Sequence, residues 1–269
     1  MQDNFSKSKE LEVAIKAALE AGAVILKYFN EGMAHELKED RSALTLADTE
    51  SENIIKKIIS DAFPDHCILA EETGYTKNSH SYTWYVDPID GTRNFAKGVP
   101  LFAISIALVD DKDMLCSVVY NPATNSLFYA EKNKGAYLNE RRIFVSKNKL
   151  SHSMMTANRG KKEPDDKLFR TLLHELPKNV VPSVRDFGCT ALDLSFVALG
   201  ALEAVISLGL KSYDFAGSAL LIKEAGGKIT KLDGSPWEFP EDHFIASNGV
   251  FHDLLIEEVK KQKEKLGLK

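Results

Sequence analysis

Residues 84–95 read Trp-Tyr-Val-Asp-Pro-Ile-Asp-Gly-Thr-Arg-Asn-Phe, an apolar run followed by two aspartates three positions apart. Asp87 is expected where a buried strand ends, because the residues before it are aromatic and β-branched. Pro88 fixes φ and removes one amide donor, and Asp90 then lies on a turn. This stretch therefore predicts two carboxylates side by side at a strand end.

The next residues add a candidate phosphate site. Gly91 allows an unusual backbone conformation or the close approach of a ligand. If a helix begins here, the amides of Gly91 and Thr92 point outward and are free to bind phosphate oxygens. The backbone carbonyl of Ile89 is also available as a metal ligand. A simple polar turn is the other interpretation of the stretch.

Other acidic residues stand in comparable places. Glu71 and Glu72 follow a short apolar strand, and Glu71 is the preferred ligand of the two. Asp48 and Asp214 each stand at the predicted start of a helix, where an N-cap role would account for either one alone. Because carboxylates suit hard divalent cations, these residues together predict metal-assisted chemistry on a phosphate.

The bulk composition narrows the function classes. The chain has 269 residues, 44% of them hydrophobic, and a net charge of −5 with both signs mixed along the chain. This argues against nucleic-acid binding, which usually requires a basic face. The three cysteines lie far apart, so neither a zinc site nor a disulfide framework is predicted. No signal peptide or membrane-spanning run is found. We expect a soluble cytoplasmic protein with no nucleic-acid or membrane partner.

Hydrophobic periodicity predicts two subdomains, an α+β part over residues 1–147 and an α/β part over residues 148–269. The first contains two amphipathic helices and an antiparallel meander of strands, and Gly22 allows the first helix to pack closely on a neighbour. The second begins with an exposed loop. The remaining predicted elements are that loop over 158–166, helices over 191–199 and 215–225, strands near 205, 229 and 245, and a terminal helix from 252.

Taken together, these motifs resemble the inositol monophosphatase family, within the lithium-sensitive, magnesium-dependent sugar phosphatases. The resemblance extends over nearly the whole chain. It implies an αβαβα sandwich that often forms a homodimer. The matching segments are 71–72, 84–95 and 213–227, with supporting matches at 42–48, 63–66, 143–146, 187–191 and 247–249.

The resemblance also implies roles for single residues. Glu71, Asp87 and the Ile89 carbonyl resemble the ligands of a first Mg²⁺. Asp87, Asp90 and Asp214 resemble those of a second, and a third, weaker ion is often shared by Glu71. The resemblance further matches Thr92 and Asp48 to the pair that activates the attacking water with Glu71, and Lys38 to a nearby basic residue, although its spacing to Asp48 is one residue short.

The implied reaction is hydrolysis of a small phosphate monoester by metal-activated water. The amides of Gly91 and Thr92 would hold the phosphate oxygens. No phosphoenzyme is required, because no cysteine or serine lies in a nucleophile motif. The seven histidines lie mostly in polar surroundings and are assigned surface or structural roles.

The substrate is less determined than the reaction. The family places the substrate pocket near 188–191 and 204–214, so the candidate substrate-binding residues are Asp90, Gly188, Cys189, Thr190, Ser207 and Asp214. Members that act on inositol phosphates carry a glutamate where this chain has Ser207, and a Trp where it has Tyr213. Losing such an acceptor weakens discrimination of a polyol.

Several substrates and roles therefore stay open. Inositol 1-phosphate or a related sugar or polyol phosphate is preferred. Residues 208–214 also resemble the histidinol-phosphate phosphatase branch. Fructose 1,6-bisphosphatase is a further alternative, and the nucleotide 3′-phosphatase branch is less favoured because of Arg93-Asn94. A non-catalytic protein that binds metal or phosphate on the same fold is the alternative from another class.

Overall fold

The computed structural model describes residues 6–31, 36–37, 43–44 and 46–268. The helices over those ranges are α1 (Lys9–Glu31), α2 (Leu46–Ala62), α3 (Thr92–Ala96), α4 (Glu163–Asn179), α5 (Thr190–Leu199), α6 (Ser212–Glu224) and α7 (His252–Leu266), with one 3-10 turn at Leu150–His152. The strands are β1 (Glu36–Leu37), β2 (Ala43–Leu44), β3 (Cys67–Ala70), β4 (Gly74–Thr76), β5 (Tyr82–Asp90), β6 (Ala103–Asp110), β7 (Asp113–Asn121), β8 (Ser126–Glu131), β9 (Gly135–Leu138), β10 (Arg141–Ile143), β11 (Met154–Arg159), β12 (Ser183–Arg185), β13 (Ala204–Leu208), β14 (Lys228–Lys231) and β15 (His243–Ser247).

These elements stack in five layers, which confirms the predicted αβαβα sandwich. Helices α1 and α2 cover one face of an eight-stranded sheet, and α5 and α6 lie between its other face and a five-stranded sheet. Helices α4 and α7 cover the outer face of the second sheet. Three apolar clusters fill the spaces between the layers. Burial of both faces of both sheets explains their largely apolar strands.

The large sheet has the order β10-β9-β8-β7-β6-β5-β3-β4, and strands β5 to β10 form the predicted antiparallel meander. Strand β3 pairs with β5 in parallel, so both strands end at the same edge. The register of β5 against β6 shifts between Asp87 and Asp90, which marks a bulge. Bulges turn side chains away from the regular alternation, and this one lies at the acidic motif.

The smaller sheet has the order β12-β11-β13-β15-β14. Strands β11, β12 and β13 are parallel, whereas β15 runs antiparallel to β13 and β14. Asn158 on β11 is aligned with Ser207 on β13. Aligned residues of a parallel pair face the same side of the sheet. These two side chains therefore both face the middle layer, where α5 and α6 lie.

Two glycines allow close packing between layers, and Gly22 does so as the sequence predicts. A Cβ on Gly22 would lie 2.5 Å from the Tyr120 ring, so α1 approaches β7 more closely than any larger residue would allow. A Cβ on Gly217 would lie 2.6 Å from Ser105 Oγ and 3.0 Å from the Val118 carbonyl. The small residues of α6 therefore let this helix press against β6 and β7. Its position decides where Asp214 lies.

Some predicted boundaries are wrong. Asp87 lies inside β5 rather than at its end, because the bulge lets the strand continue to Asp90. Asp48 lies in the first turn of α2, which begins at Leu46, so it is not the residue that caps the helix. The predicted loop over 158–166 is shorter, since β11 runs to Arg159 and α4 begins at Glu163.

Lys38 and Ser42 lie outside the described residues. The division into subdomains at residue 147 stays a prediction. Over the described ranges, no helix combines the length and the apolar character needed to cross a bilayer.

Candidate active site

Parallel pairing places the first two carboxylates together. The amide of Glu71 donates to the Val86 carbonyl at 3.1 Å, which sets Glu71 beside Asp87 at the edge where β3 ends. Glu52 on α2 accepts the amides of Glu72 and Thr73 at 2.8 and 3.0 Å. A buried side chain of α2 thus braces the turn that carries Glu71.

The bulge and a short helix form the next part of the site. Gly91 has φ of +87°, and a Cβ there would lie 2.8 Å from the Leu101 carbonyl, so only glycine fits this turn. Helix α3 begins at Thr92, as the motif predicts. The Thr92 hydroxyl donates to the Ile89 carbonyl at 3.1 Å. That bond holds Ile89 and Thr92 in one compact turn.

Asp90 connects this turn to the middle layer. Its Oδ2 accepts the Ala191 amide at 2.6 Å and the Cys189 thiol at 3.2 Å. Both donors lie at the N-terminal end of α5, where free amides attract negative charge. A residue of the large sheet is therefore fixed by a helix that belongs to the second half of the chain.

Asp214 reaches the same place from α6. Its Oδ2 accepts the Lys211 amide at 2.9 Å within the first turn of the helix. The Ser105 hydroxyl of β6 donates to the Tyr213 carbonyl at 3.1 Å. Together with the close packing at Gly217, this contact holds the start of α6 against the large sheet and directs Asp214 toward Asp87 and Asp90.

These elements enclose a cavity of about 340 Å³. It contains nearly all of the residues predicted to bind metal, phosphate or substrate. The lining residues are Glu71, Asp87, Ile89, Asp90, Gly91, Thr92, Arg93, Asn158, Arg159, Phe169, Asp186, Gly188, Thr190, Leu210 and Asp214.

Three predicted residues do not line this cavity. Asp48 is buried near Glu71, close enough for its charge to raise the pKa of that glutamate. The Cys189 thiol lies behind Asp90. Ser207 is fully buried and its hydroxyl donates to the Asp242 carbonyl at 3.2 Å, so it has no part in the cavity surface. The geometry gives no support to the prediction that Ser207 binds substrate.

The cavity is strongly acidic. Burial raises the pKa of Glu71 to about 7 and that of Asp90 to about 6, and the Ala191 amide limits the shift of Asp90. Burial also raises the pKa values of Asp87 and Asp214 well above their usual range, and the charges of neighbouring carboxylates add to both shifts. Concentrating negative charge in this way is costly without cations.

The donor set suits hard divalent cations. All candidate ligands are carboxylate or carbonyl oxygens, and Asp87 Oδ1 is buried without a hydrogen-bond partner among the described residues. Within the same ranges, no three acidic, His or Cys side chains converge closely enough to form a ready-made metal site. The hydrogen bonds of Asp90 and Asp214 to backbone amides occupy one oxygen of each side chain.

Several lining residues escaped prediction from the sequence. Asn158, Arg159 and Asp186 come from the ends of β11 and β12 or just beyond, and Phe169 and Leu210 complete the apolar part of the wall. A signal was present, because ligands in sheets with parallel strands bind beyond the carboxyl ends of those strands. Because residues 158–166 were predicted to form a loop, the end of β11 at Arg159 was not recognised as part of the site.

Comparison with known proteins agrees with this geometry. The model of the inositol monophosphatase family matches residues 6–264. An inositol-1-monophosphatase of Mesorhizobium japonicum is 36% identical over 264 residues, which cover 96% of this chain and 98% of that protein. A protein of Aquifex aeolicus named fructose-1,6-bisphosphatase/inositol-1-monophosphatase is 33% identical over 264 residues, covering 95% and 97% of the two chains.

Solved structures show the same fold. The extragenic suppressor protein suhB of Bartonella henselae superposes with a TM-score of 0.87 at 32% identity, covering 94% of this chain and 99% of that one. An inositol monophosphatase from Anabaena (Nostoc) superposes with a TM-score of 0.83 at 33% identity, covering 94% and 95% of the two chains.

Proposed function

The chain belongs to the inositol monophosphatase family, and we propose that it is a Mg²⁺-dependent phosphatase that hydrolyses a small phosphate monoester. The observation that carries this proposal is the convergence of Glu71, Asp87, Asp90 and Asp214 on one cavity beside the turn at Gly91. Two relatives that cover nearly the whole chain carry phosphatase names, and this supports the proposal.

The residues present divide the chemistry among them. One Mg²⁺ ion would be held by Asp87, Glu71 and the Ile89 carbonyl. A second would be held by Asp87, Asp90 and Asp214. Glu71 would also share a third ion. Bound Mg²⁺ would supply positive charge at the phosphate and lower the pKa of a water molecule. The amides of Gly91 and Thr92 would bind phosphate oxygens, and the Gly91 amide also donates to the Asp90 carboxylate. Glu71, with Asp48 and Thr92 beside it, would accept the proton of the attacking water.

The proposed substrate is inositol 1-phosphate or a related sugar or polyol phosphate. Asp90, Gly188, Thr190 and Asp214 all line the cavity and would contact the alcohol part of the substrate. Cys189 would act only through Asp90, since its thiol bonds to that carboxylate. Lithium inhibition, a homodimer and a cytoplasmic location belong to the same proposal.

A second candidate substrate class is a bisphosphate such as fructose 1,6-bisphosphate. An adjoining cavity of about 410 Å³ shares the Gly91-Thr92 turn and is lined by Arg93, Arg159 and Lys161. Guanidinium groups bind phosphate well, so a second phosphate could be held there. The name of the Aquifex aeolicus relative includes this activity.

The test is release of inorganic phosphate from inositol 1-phosphate, fructose 1,6-bisphosphate, histidinol phosphate and a nucleoside 3′-phosphate, each with and without Mg²⁺. We expect Mg²⁺-dependent release, fastest from the inositol or sugar phosphate, and inhibition by Li⁺. Binding of Mg²⁺ in calorimetry without release from any compound would instead favour the non-catalytic binding role.

A further inference from the structure

A second buried carboxyl group lies outside the acidic cluster. Asp193 on α5 has 0% exposure, and neither of its oxygens has a hydrogen bond of good geometry among the described residues. Burial raises its pKa to about 8, and weak side-chain hydrogen bonds from Asn158 and Thr156 lower that value. A buried carboxyl group held only by weak hydrogen bonds is costly, so its position calls for an explanation.

The two donors near Asp193 also lack hydrogen bonds of good geometry. Asn158 Nδ2 and Thr156 Oγ1 are both buried without one in the described part of the chain, although their side chains are close enough to influence the carboxyl group. Both residues lie on β11, two positions apart, and so share the face toward α5. Donors and acceptor thus face each other, and the hydrogen bonds between them are weak because they fall short of good geometry.

Asn158 connects this group to the cavity. The residue is 6% exposed, and that exposed part lines the wall of the cavity. Because its Nδ2 is buried on the side of Asp193, its Oδ1 is the polar atom available to the cavity. A carboxamide oxygen accepts hydrogen bonds from hydroxyl groups. Asn158 can therefore accept a hydrogen bond from a hydroxyl group of the substrate.

The position of Asn158 also answers a question raised by the sequence. Family members that act on inositol phosphates have a glutamate acceptor at position 207, where this chain has a serine turned to the Asp242 carbonyl. Asn158 is aligned with Ser207 on the neighbouring strand. An acceptor is therefore present at the same level of the sheet, displaced by one strand.

We propose that Asn158 is a specificity-determining residue that accepts a hydrogen bond from a hydroxyl group of the substrate, and that Asp193 is a positioning residue that orients its carboxamide. This inference rests on the proposed phosphatase function and narrows its substrates to phosphates of hydroxylated alcohols. The weak hydrogen bond between the Asn158 amide and Asp193 would hold the carboxamide oxygen toward the substrate.

The experiment compares kcat/KM, at saturating Mg²⁺, for inositol 1-phosphate with that for p-nitrophenyl phosphate, which has no hydroxyl group. For Asn158→Ala the ratio of the two values should fall at least about tenfold, because a buried acceptor that meets a hydroxyl is lost. An unchanged ratio would overturn the inference. So would a fall for Ser207→Ala larger than that for Asn158→Ala, since it would locate hydroxyl recognition on β13.

The role of Asp193 is tested by a pair of variants. Asp193→Leu cannot accept a hydrogen bond, so the ratio should fall as for Asn158→Ala, mainly through KM of the inositol substrate. Asp193→Asn keeps an acceptor and should restore the ratio to within about threefold of the wild type. If Asn lowers the ratio as much as Leu does, positioning by Asp193 is wrong. If Asp193→Leu fails to fold, the ratio for Asp193→Asn is compared with that for Asn158→Ala instead. An equal fall in the two ratios would refute positioning by Asp193.

Ser195→Ala is the matched control. Its hydroxyl donates to the Ala191 carbonyl within α5 and does not line the cavity, so the ratio should not change. Measurements on the wild type distinguish failure of the specificity inference from failure of the proposed phosphatase function. If the wild type hydrolyses p-nitrophenyl phosphate with Mg²⁺ but prefers no hydroxylated phosphate, the specificity inference is wrong and the proposed phosphatase function still stands. Absence of hydrolysis of every compound would sink the proposed function itself.

Discussion

Glu203 and Asp87 are equally buried, at 2% exposure each, but their surroundings differ completely. Glu203 accepts the Met154 amide at 2.7 Å, the Asn148 amide group at 2.9 Å and the Ser146 hydroxyl at 3.1 Å. Asp87 has one oxygen without a partner and three acidic neighbours that raise its pKa. Glu203 and Asp87 are thus equally buried, but they differ in the number of hydrogen-bond donors around them.

The contrast separates two uses of a buried carboxylate. Donors around Glu203 compensate its desolvation, so the residue fastens the segment that connects the two sheets. Asp87 in the cavity lacks such compensation at one oxygen and can gain it from a bound cation. If this distinction is correct, substitutions in the first region should damage stability and those in the second should damage turnover.

The largest expected effect is on turnover. Asp90→Asn should lower kcat at least about 10³-fold, because it removes a carboxylate proposed to hold metal and substrate. The fold should persist, since an amide oxygen can still accept the Ala191 amide. Phosphate release measures the first effect and circular dichroism the second. Near-normal turnover would refute the assignment of Asp90.

Replacing Glu203 should lower stability and leave turnover nearly unchanged. Glu203→Ala leaves three donors without their acceptor, so the free energy of unfolding should fall by about 4 kcal/mol. Urea unfolding checks this value, and kcat of the folded fraction should stay near that of the wild type. A large loss of kcat without loss of stability would contradict the separation of the two regions.

The charge of the cavity predicts a pH dependence. The pKa of Asp90 is raised from 3.8 to about 6 in the folded state, so its stabilising contribution is complete below pH 3.8 and is lost as pH rises through 6. Two pKa units correspond to about 3 kcal/mol. Relative to Asp90→Asn, the metal-free wild type should therefore lose about that much stability between pH 4 and 7.

Comparing the two proteins at each pH cancels the titrations of groups that do not interact with Asp90, such as His252, whose pKa burial lowers to about 4. Chemical unfolding in the presence of a chelator gives the difference. A wild type that gains stability over Asp90→Asn with rising pH would reverse the predicted sign. Added Mg²⁺ at pH 7 should stabilise the wild type more than the variant.

The smallest effect is expected at Glu52, which belongs to the donor-rich class but lies beside the cavity. Glu52→Gln replaces one of two acceptor oxygens on the Glu72 and Thr73 amides, so stability should fall by about 1 kcal/mol. The turn that carries Glu71 would loosen, and Mg²⁺ affinity measured by calorimetry should weaken several-fold. Unchanged affinity would limit Glu52 to a structural role.

Much of the candidate site follows from local patterns. The acidic residues and Gly91 stand next to apolar runs whose periodicity predicts strands and helices, so their proximity to element ends is readable from the chain. Even the bulge has a local cause in Pro88, which cannot donate to the strand ladder. The boundary at Asp87 was missed because a bulge ends regular alternation without ending the strand.

Asn158, Asp193 and Ser207 show where local patterns stop. Whether Ser207 faces the cavity depends on its bond to the Asp242 carbonyl, and the approach of Asp193 to Asn158 depends on how α5 lies across β11. Neither contact leaves a trace in the residues next to it along the chain. Conformation within an element is set by neighbours in sequence, but these contacts join elements far apart in sequence.

The amino-acid sequence by itself determined the positions of most helices and strands and the acidic motifs beside them, because hydrophobic periodicity and turn chemistry act over a few residues. Its resemblance to the family indicated the layers and the shared site of the carboxylates. Only the tertiary structure decided which polar groups face the cavity, which are satisfied inside the core and which lie buried without a partner. The reason is that hydrogen-bond geometry depends on strand register and on the packing of helices across a sheet, and these are settled when the layers come together.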